Sequence, residues 1–203
     1  QERLLFGNWK IKPAAGLYFK RSQINIITFI PTDKAIMWFR YFDLAATEAS
    51  VSNPSPDATA SVLMGKYPDG RYIIADVTND CISSHQVREL IKRKALSDRD
   101  LYGHVKIGIP QDPGQAGKDQ AIGLIRMLSG YPATVLRETG NKVTRAEPFA
   151  AQWQAGNIDV LKADWNEMYF SQLEAFPSNA HDDMVDASSG AFAKLQVGAV
   201  FIA

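Results

Sequence analysis

The sequence predicts an α/β fold with a mixed central sheet, antiparallel over its first three strands and parallel thereafter, flanked by helices on both faces. Three observations lead there. The apolar runs at 35–45, 59–67 and 71–79 read as consecutive strands, the last two joined by the turn Pro68-Asp69-Gly70. After residue 80, helix-period stretches alternate with short β-branched runs, the pattern of crossover connections between parallel strands. The 203 residues carry no internal repeat and no low-complexity segment, and their length suits one α/β domain with or without an arm.

Each element has its own signal. Residues 1–34 are broken by Pro13, Gly16 and Pro31 and read as an irregular arm or linker, so the domain is placed at 35–203. The run 35–45, AIMWFRYFDLA, is aromatic and apolar, as a buried strand requires. A Pro- and Ser-rich loop follows, then the hairpin of the second and third strands. In 83–96 a serine cap precedes Val87, Leu90 and Ile91 at helical spacing. The fourth strand spans 103–110 and closes with Pro110. A second helix covers 117–131 with Gly130 as its stop, and PATVLRE supplies a fifth strand. Thr144 and Glu147 match a capping box for a helix over 144–157. A short extended piece follows at 158–163, then a helix with Asp164 as its cap, and a last helix beginning near Asp182.

Bulk properties exclude several function classes. A formal net charge of zero argues against a protein that coats nucleic acid through bulk charge, while leaving room for a local basic stripe. Cys81 is the only cysteine, which removes disulfide frameworks and cysteine zinc sites and suits a reducing compartment. No apolar run approaches the roughly 20 residues needed to span a membrane.

The chemistry-bearing residues are carboxylates at element ends. Asp43 closes the first strand. Asp112 stands just past the fourth, where open α/β sheets gather ligands. Asp182 and Asp183 open the last helix, with Asp186 one turn on. Taken singly, each has an ordinary explanation: a turn acceptor for Asp43, an Asx turn for Asp112, helix caps for the pair. Taken together, adjacent like charges repel more than capping requires, and hard divalent cations such as Mg²⁺ or Mn²⁺ relieve that repulsion. If the first and fourth strands are neighbours, their ends and the last helix converge. Such a cluster would hold two ions about 3.5–4 Å apart, one activating water and one stabilising the leaving oxygen of a phosphodiester. The loop 112–118, DPGQAGK, is glycine-rich but lacks the spacing of a nucleotide P-loop, and Asp119 follows Lys118.

The segments RYFDLAAT (40–47), IPQDPGQAGK (109–118), TGNKVTRAEPFAAQWQAGNI (139–158) and HDDMVDASSGAF (181–192) together resemble, in order, the C-terminal nuclease domain of tailed-bacteriophage terminase large subunits, of the RNase H-like (retroviral integrase-like) superfamily. The resemblance implies an RNase H-like fold and a metal-dependent endonuclease that cuts concatemeric double-stranded viral DNA during genome packaging in the host cytoplasm. Asp43, Asp112 and Asp183 become the catalytic metal ligands, with Asp182 a rival to Asp183. Asp186, His181 and Asp57 become auxiliary, and Asp57 is equally readable as a strand cap. His181 is equally a surface turn residue. Lys118, Lys142 and Arg145 become DNA contacts, with plain solvation as the alternative. The implied partners are an ATPase motor domain, the small terminase subunit and the capsid portal, with no membrane. The segment 6–19 resembles the stretch that links motor to nuclease, and the chain has no Walker A sequence. The loop 44–58 is longer than the pattern expects. A structure-selective nuclease such as a junction resolvase, or a non-catalytic docking module for portal or motor, are the competing readings. Arg88, Lys92, Arg93 and Lys94 read as a solvated basic face, with DNA contact the alternative. Trp153, Trp165 and Phe170 read as core.

Overall fold

A computed structural model describes residues 16–31, 34–45, 47–48, 50–54, 56–137 and 140–197. Its strands are β1 (Asn25–Ile27), β2 (Met37–Asp43), β3 (Thr59–Lys66), β4 (Tyr72–Asp80), β5 (Val105–Pro110), β6 (Ala133–Leu136) and β7 (Ile158–Leu161). Its helices are α1 (Ser84–Tyr102), α2 (Gln115–Met127), α3 (Lys142–Gln154), α4 (Asn166–Ala175) and α5 (Asp183–Val197). The strands form one seven-stranded sheet in the order β1-β7-β4-β3-β2-β5-β6. β2, β3 and β4 pair antiparallel, and every other pairing is parallel. β2 and β5, the first and fourth strands expected from the sequence, are parallel neighbours with Tyr41 opposite Gly108, so their carboxyl ends open on the same side of the sheet.

Alternation along β2 sorts the core. Phe39 and Tyr41 pack with α3, α4 and α5 around Phe149, Trp153, Tyr169 and Phe192. Phe42 packs on the other face with Val87 and Ile91 of α1 and Leu124 of α2. Arg40 shares that second face and is fully buried. Its Nε and Nη2 donate to the two oxygens of Asp98 on α1, both at 2.7 Å, and Nη1 lies 2.8 Å from Asp76, which Lys94 also reaches at 2.6 Å. A buried guanidinium persists because its charge is paired and its donors are used.

The irregular arm carries more structure than its sequence suggests. Asn25–Ile27 adds to the sheet edge against Asp159–Leu161. Phe19 is fully buried between Phe149, Trp153 and Phe176, and Arg21 pairs with Glu167 and Glu174 of α4. Three residues are too few for a strand pattern to register, so pairing with β7 decides the outcome. Residues 6–15 of the linker-like stretch lie outside the described residues.

Two caps differ from expectation. α3 begins at Lys142, with Asn141 Oδ1 accepting from the Thr144 amide at 2.9 Å, so the Thr144–Glu147 box is not used. An asparagine side chain one turn earlier satisfies the same orphan donor. α4 takes no side-chain cap from Asp164. Asn166 instead accepts from the Ala163 amide at 2.8 Å and donates to the Leu161 carbonyl at 3.0 Å, closing the link from β7.

Candidate metal centre

Asp43 is the last residue of β2 and faces Ala60 of β3. The chain leaving it is clamped by Thr59, whose hydroxyl donates to the Ala45 carbonyl and accepts from the Ala45 amide. Asp183 is the first residue of α5. Beneath it, the Met184 amide donates at 2.7 Å to the buried Gln172 of α4, and Tyr169 and Ser188 join their hydroxyls at 2.8 Å. These contacts set the height and rotation of the helix start over the sheet.

An open cleft of about 560 Å³ lies between the two, walled by Asp43, Asp57, Asp183 and Asp186 and by Lys142 and Arg145 of α3. Asp183 is only 7% exposed. Burial, reinforced by the charge of Asp57, holds its carboxyl above the usual aspartate range; the Ala58 and Asp183 amides and His181 pull the other way. Its Oδ2 is buried without a hydrogen-bond donor among the described residues. An acceptor left bare in a desolvated position costs about 1–3 kcal/mol, and more when ionised. A hard cation offers that oxygen the partner the protein withholds. The donor set of carboxylate oxygens therefore fits a divalent ion of the Mg²⁺ or Mn²⁺ type. Among the described residues no group of three or more His, Cys, Asp or Glu side chains is arranged so that it could hold a metal ion.

The other named residues divide. Asp186 lines the cleft but is engaged: Arg145 Nη2 donates to it at 2.7 Å, and Lys142 lies 3.3 Å away. Asp182 does not line the cleft, and its Oδ1 accepts from Lys142 at 2.6 Å. Burial opposes the charge on Lys142, yet Asp182 and Asp186 hold its ammonium above the usual lysine range. His181 stands beside Asp57, Nδ1 to Oδ1 at 3.4 Å. Asp112 is exposed just beyond β5, on the same sheet margin as Asp43, and neither it nor Lys118 lines the cleft. Its backbone is fixed by Gly117, where an added Cβ would fall 2.4 Å from the Asp112 carbonyl oxygen. Gln172 and Thr59 give no sign of a site role in the sequence, since their work is done on backbone groups distant along the chain. Asn141 lines the cleft and carries the ordinary signal of an N-cap asparagine.

The family model described as the terminase RNase H-like domain matches residues 40–195, well over half of the chain. The chain belongs to this family. It has the fold of terminase nuclease domains. The human cytomegalovirus terminase nuclease domain, solved manganese-soaked with an inhibitor, is 16% identical at a TM-score of 0.64, covering 87% of this chain and 95% of that one. The large terminase nuclease of the thermophilic phage G20c, solved with magnesium, is 15% identical at a TM-score of 0.60, covering 90% and 99%. The large terminase of another thermophilic bacteriophage is 12% identical at a TM-score of 0.51, covering 77% of this chain and 36% of that one. No curated protein matches the chain. Among the described residues, no helix of this terminase-family domain is long and apolar enough to cross a membrane.

Proposed function

We propose that the chain is a divalent-metal-dependent endonuclease that hydrolyses phosphodiester bonds of concatemeric double-stranded DNA during viral genome packaging. The observation that carries this reading is the Asp183 carboxylate, buried, pushed toward protonation and with one oxygen lacking a donor among the described residues, on the wall of a cleft it shares with Asp43. A helix cap has no use for such an oxygen; a cation site does. Similar folds solved with manganese, magnesium, zinc or cobalt support the same taste for divalent ions here.

In this reading Asp43 from the sheet and Asp183 from the helix hold the metal, probed with either Mg²⁺ or Mn²⁺. Asp112, on the strand beside β2, is the third carboxylate, and Asp182 is held in reserve by Lys142. Ions bound there, two in the full arrangement, supply Lewis acidity and a lowered pKa for water. The cleft lining is carboxylates, cations and small residues, and the attacking group in this reading is water. Lys142 and Arg145 sit in the first turn of α3, where helix amides add to their positive charge. They orient the diester, and Asp182 and Asp186 hold them in place. His181 steadies Asp57 at the rim. In the full-length protein a motor domain, the small terminase subunit and the capsid portal bring the DNA to this cleft.

The test is plasmid digestion with manganese, comparing the parent with Asp43→Asn and Asp183→Asn. Loss of cutting in both is expected. Undiminished cutting by both rejects the site, and cleavage of branched but not linear duplex moves the assignment to a junction-selective nuclease.

A further inference from the structure

The sheet face that carries α5 is bare at one end. Lys106 lies opposite Phe39, and Gly108 lies opposite both Tyr41 and Thr134. Parallel partners point the same way, so Lys106, Gly108 and Thr134 share the face of Phe39 and Tyr41. Phe39 and Tyr41 are buried against the helix layer, whereas Lys106 and Thr134 stand exposed. α5 thus forms a wall beside an open ledge made by β5 and β6.

Two further clefts run along that wall. The nearer, of about 280 Å³, shares Arg145 and Asp186 with the metal cleft and adds Arg137, Thr144 and Lys194. The farther, of about 580 Å³, shares Lys194 with the nearer one and adds Lys106 and His104. The three are continuous from Asp43 at the end of β2 to Met37 at its start. Six strand residues span about 20 Å, the rise of about six base pairs of duplex at 3.4 Å each. Along this length Lys106, Arg137 and Lys194 are exposed, and none has an ion pair among the described residues. Among the described residues, the only acid lining the two added clefts is Asp186, already engaged by Arg145 and Lys142.

On the basic face of α1 two of the four cations are paired, while Arg88 and Arg93 stand exposed. Lys94 is committed to Asp76, and Lys92 pairs with Glu89. In a chain of zero net charge, a stripe of exposed cations with no ion pair among the described residues, leading to a phosphodiester-cutting site, is the footprint of a nucleic-acid backbone.

We propose that the β5–β6 ledge beside α5 seats the phosphate backbone of the duplex on its way to the metal cleft, with Arg137, Lys194 and Lys106 touching the phosphates. The proposal rests on reading the cleft as a nuclease centre. The ledge sets the direction of the bound strand, running along β2 from Asp43 toward Met37. It reads charge and not sequence, since lysine and arginine on phosphate carry no base information.

The test is fluorescence anisotropy with a labelled 30-base-pair duplex in EDTA, which separates binding from metal chemistry. Lys194→Glu and Arg137→Glu are compared with Arg88→Glu, the same charge change on the opposite sheet face. The ledge variants are expected to raise Kd several-fold, about tenfold when combined, and to flatten the log Kd against log salt slope by about 1 for each cation replaced. Arg88→Glu is expected to leave both near the parent values. Equal losses from Arg88→Glu and Lys194→Glu, unchanged binding in the ledge variants, or no duplex binding by the parent at 50 mM salt would each overturn the proposal. Manganese cleavage by the same proteins separates the two readings. A parent that binds through the ledge but never cuts defeats the nuclease assignment alone. A parent that cuts, with ledge variants that bind normally, defeats the ledge alone.

Discussion

Arg145 of α3 donates through Nη2 to the Asp186 carboxylate of α5 at 2.7 Å, joining two helices at the wall of the acidic cleft. The pair is partly buried, and Lys142 shares the same carboxylate. Asp186→Ala removes the charge-assisted hydrogen bond from Arg145, worth about 1.5–3 kcal/mol, while Lys142 keeps its contact with Asp182. The expected loss in urea unfolding is about 1–3 kcal/mol, with cleavage reduced less than in Asp183→Asn. A variant as stable as the parent would show the pair to be ornamental.

The Arg40–Asp98 pair should behave more harshly. Both partners are buried, and Arg40 has no route to water. Asp98→Ala leaves the buried guanidinium with Asp76 alone, a carboxylate it shares with Lys94, and a loss of about 3 kcal/mol is expected from the urea midpoint. The double variant Arg40→Met with Asp98→Leu should lose less than Asp98→Ala alone, because it removes both charges. Equal or greater loss in the double variant contradicts this account.

Asp183 gives a pH dependence with a definite sign. Burial and Asp57 raise its folded-state pKa above the ordinary 3.8. A carboxyl of this kind binds its proton more tightly when folded, so its ionisation subtracts stability as pH rises from about 3.8 through the raised value, and the full penalty stands at neutral pH. Asp183→Asn should then be at least as stable as the parent in metal-free neutral buffer. Saturating manganese should raise the parent's melting temperature and not the variant's; a ligand at 100 times its Kd contributes about 2.7 kcal/mol. The parent's gain should shrink as the pH is lowered through that window. Thermal shift with and without manganese at several pH values checks all three statements.

Two glycines predict opposite outcomes for one substitution. A Cβ on Gly190 would stand 2.6 Å from the Tyr41 ring, so α5 lies as close to β2 as it does because that position has no side chain. Gly190→Ala should cost about 1–3 kcal/mol through overpacking and lower cleavage by lifting the helix that carries Asp183. Gly123 in α2 meets nothing within 4 Å. Gly123→Ala should gain up to about 1 kcal/mol from helix propensity. Thermal melts of the two variants side by side decide the point.

The legible part of this protein is the part written in local signals. The hairpin at Pro68-Asp69-Gly70, the serine start of α1 and the acidic opening of α5 each announce themselves within a few residues, and they suffice for the order of the sheet's central elements. That Asp43 and Asp183 line one cleft is in keeping with that order, since one closes a strand and the other opens the helix above it. What stayed hidden depends on distant partners. Arg40 finds Asp98 across 58 positions, from within a run that otherwise reads as aromatic and apolar. Ile26 becomes a strand residue only because Val160 lies opposite. The engagement of Asp182 and Asp186 by Lys142 could not be read from spacing, because spacing shows like charges in repulsion and is blind to the cation that another helix lowers between them.

The clasp of Arg21 by Glu167 and Glu174 bears on how a pull would travel through the domain. The arm is riveted to α4, and α4 steadies the opening turns of α5 through Gln172 and Tyr169. The same arm is also stitched to the sheet, since Asn25–Ile27 pairs with β7. One short segment therefore touches both the helical layer that carries Asp183 and the sheet that carries Asp43, and holds the two sides of the acidic cleft in common.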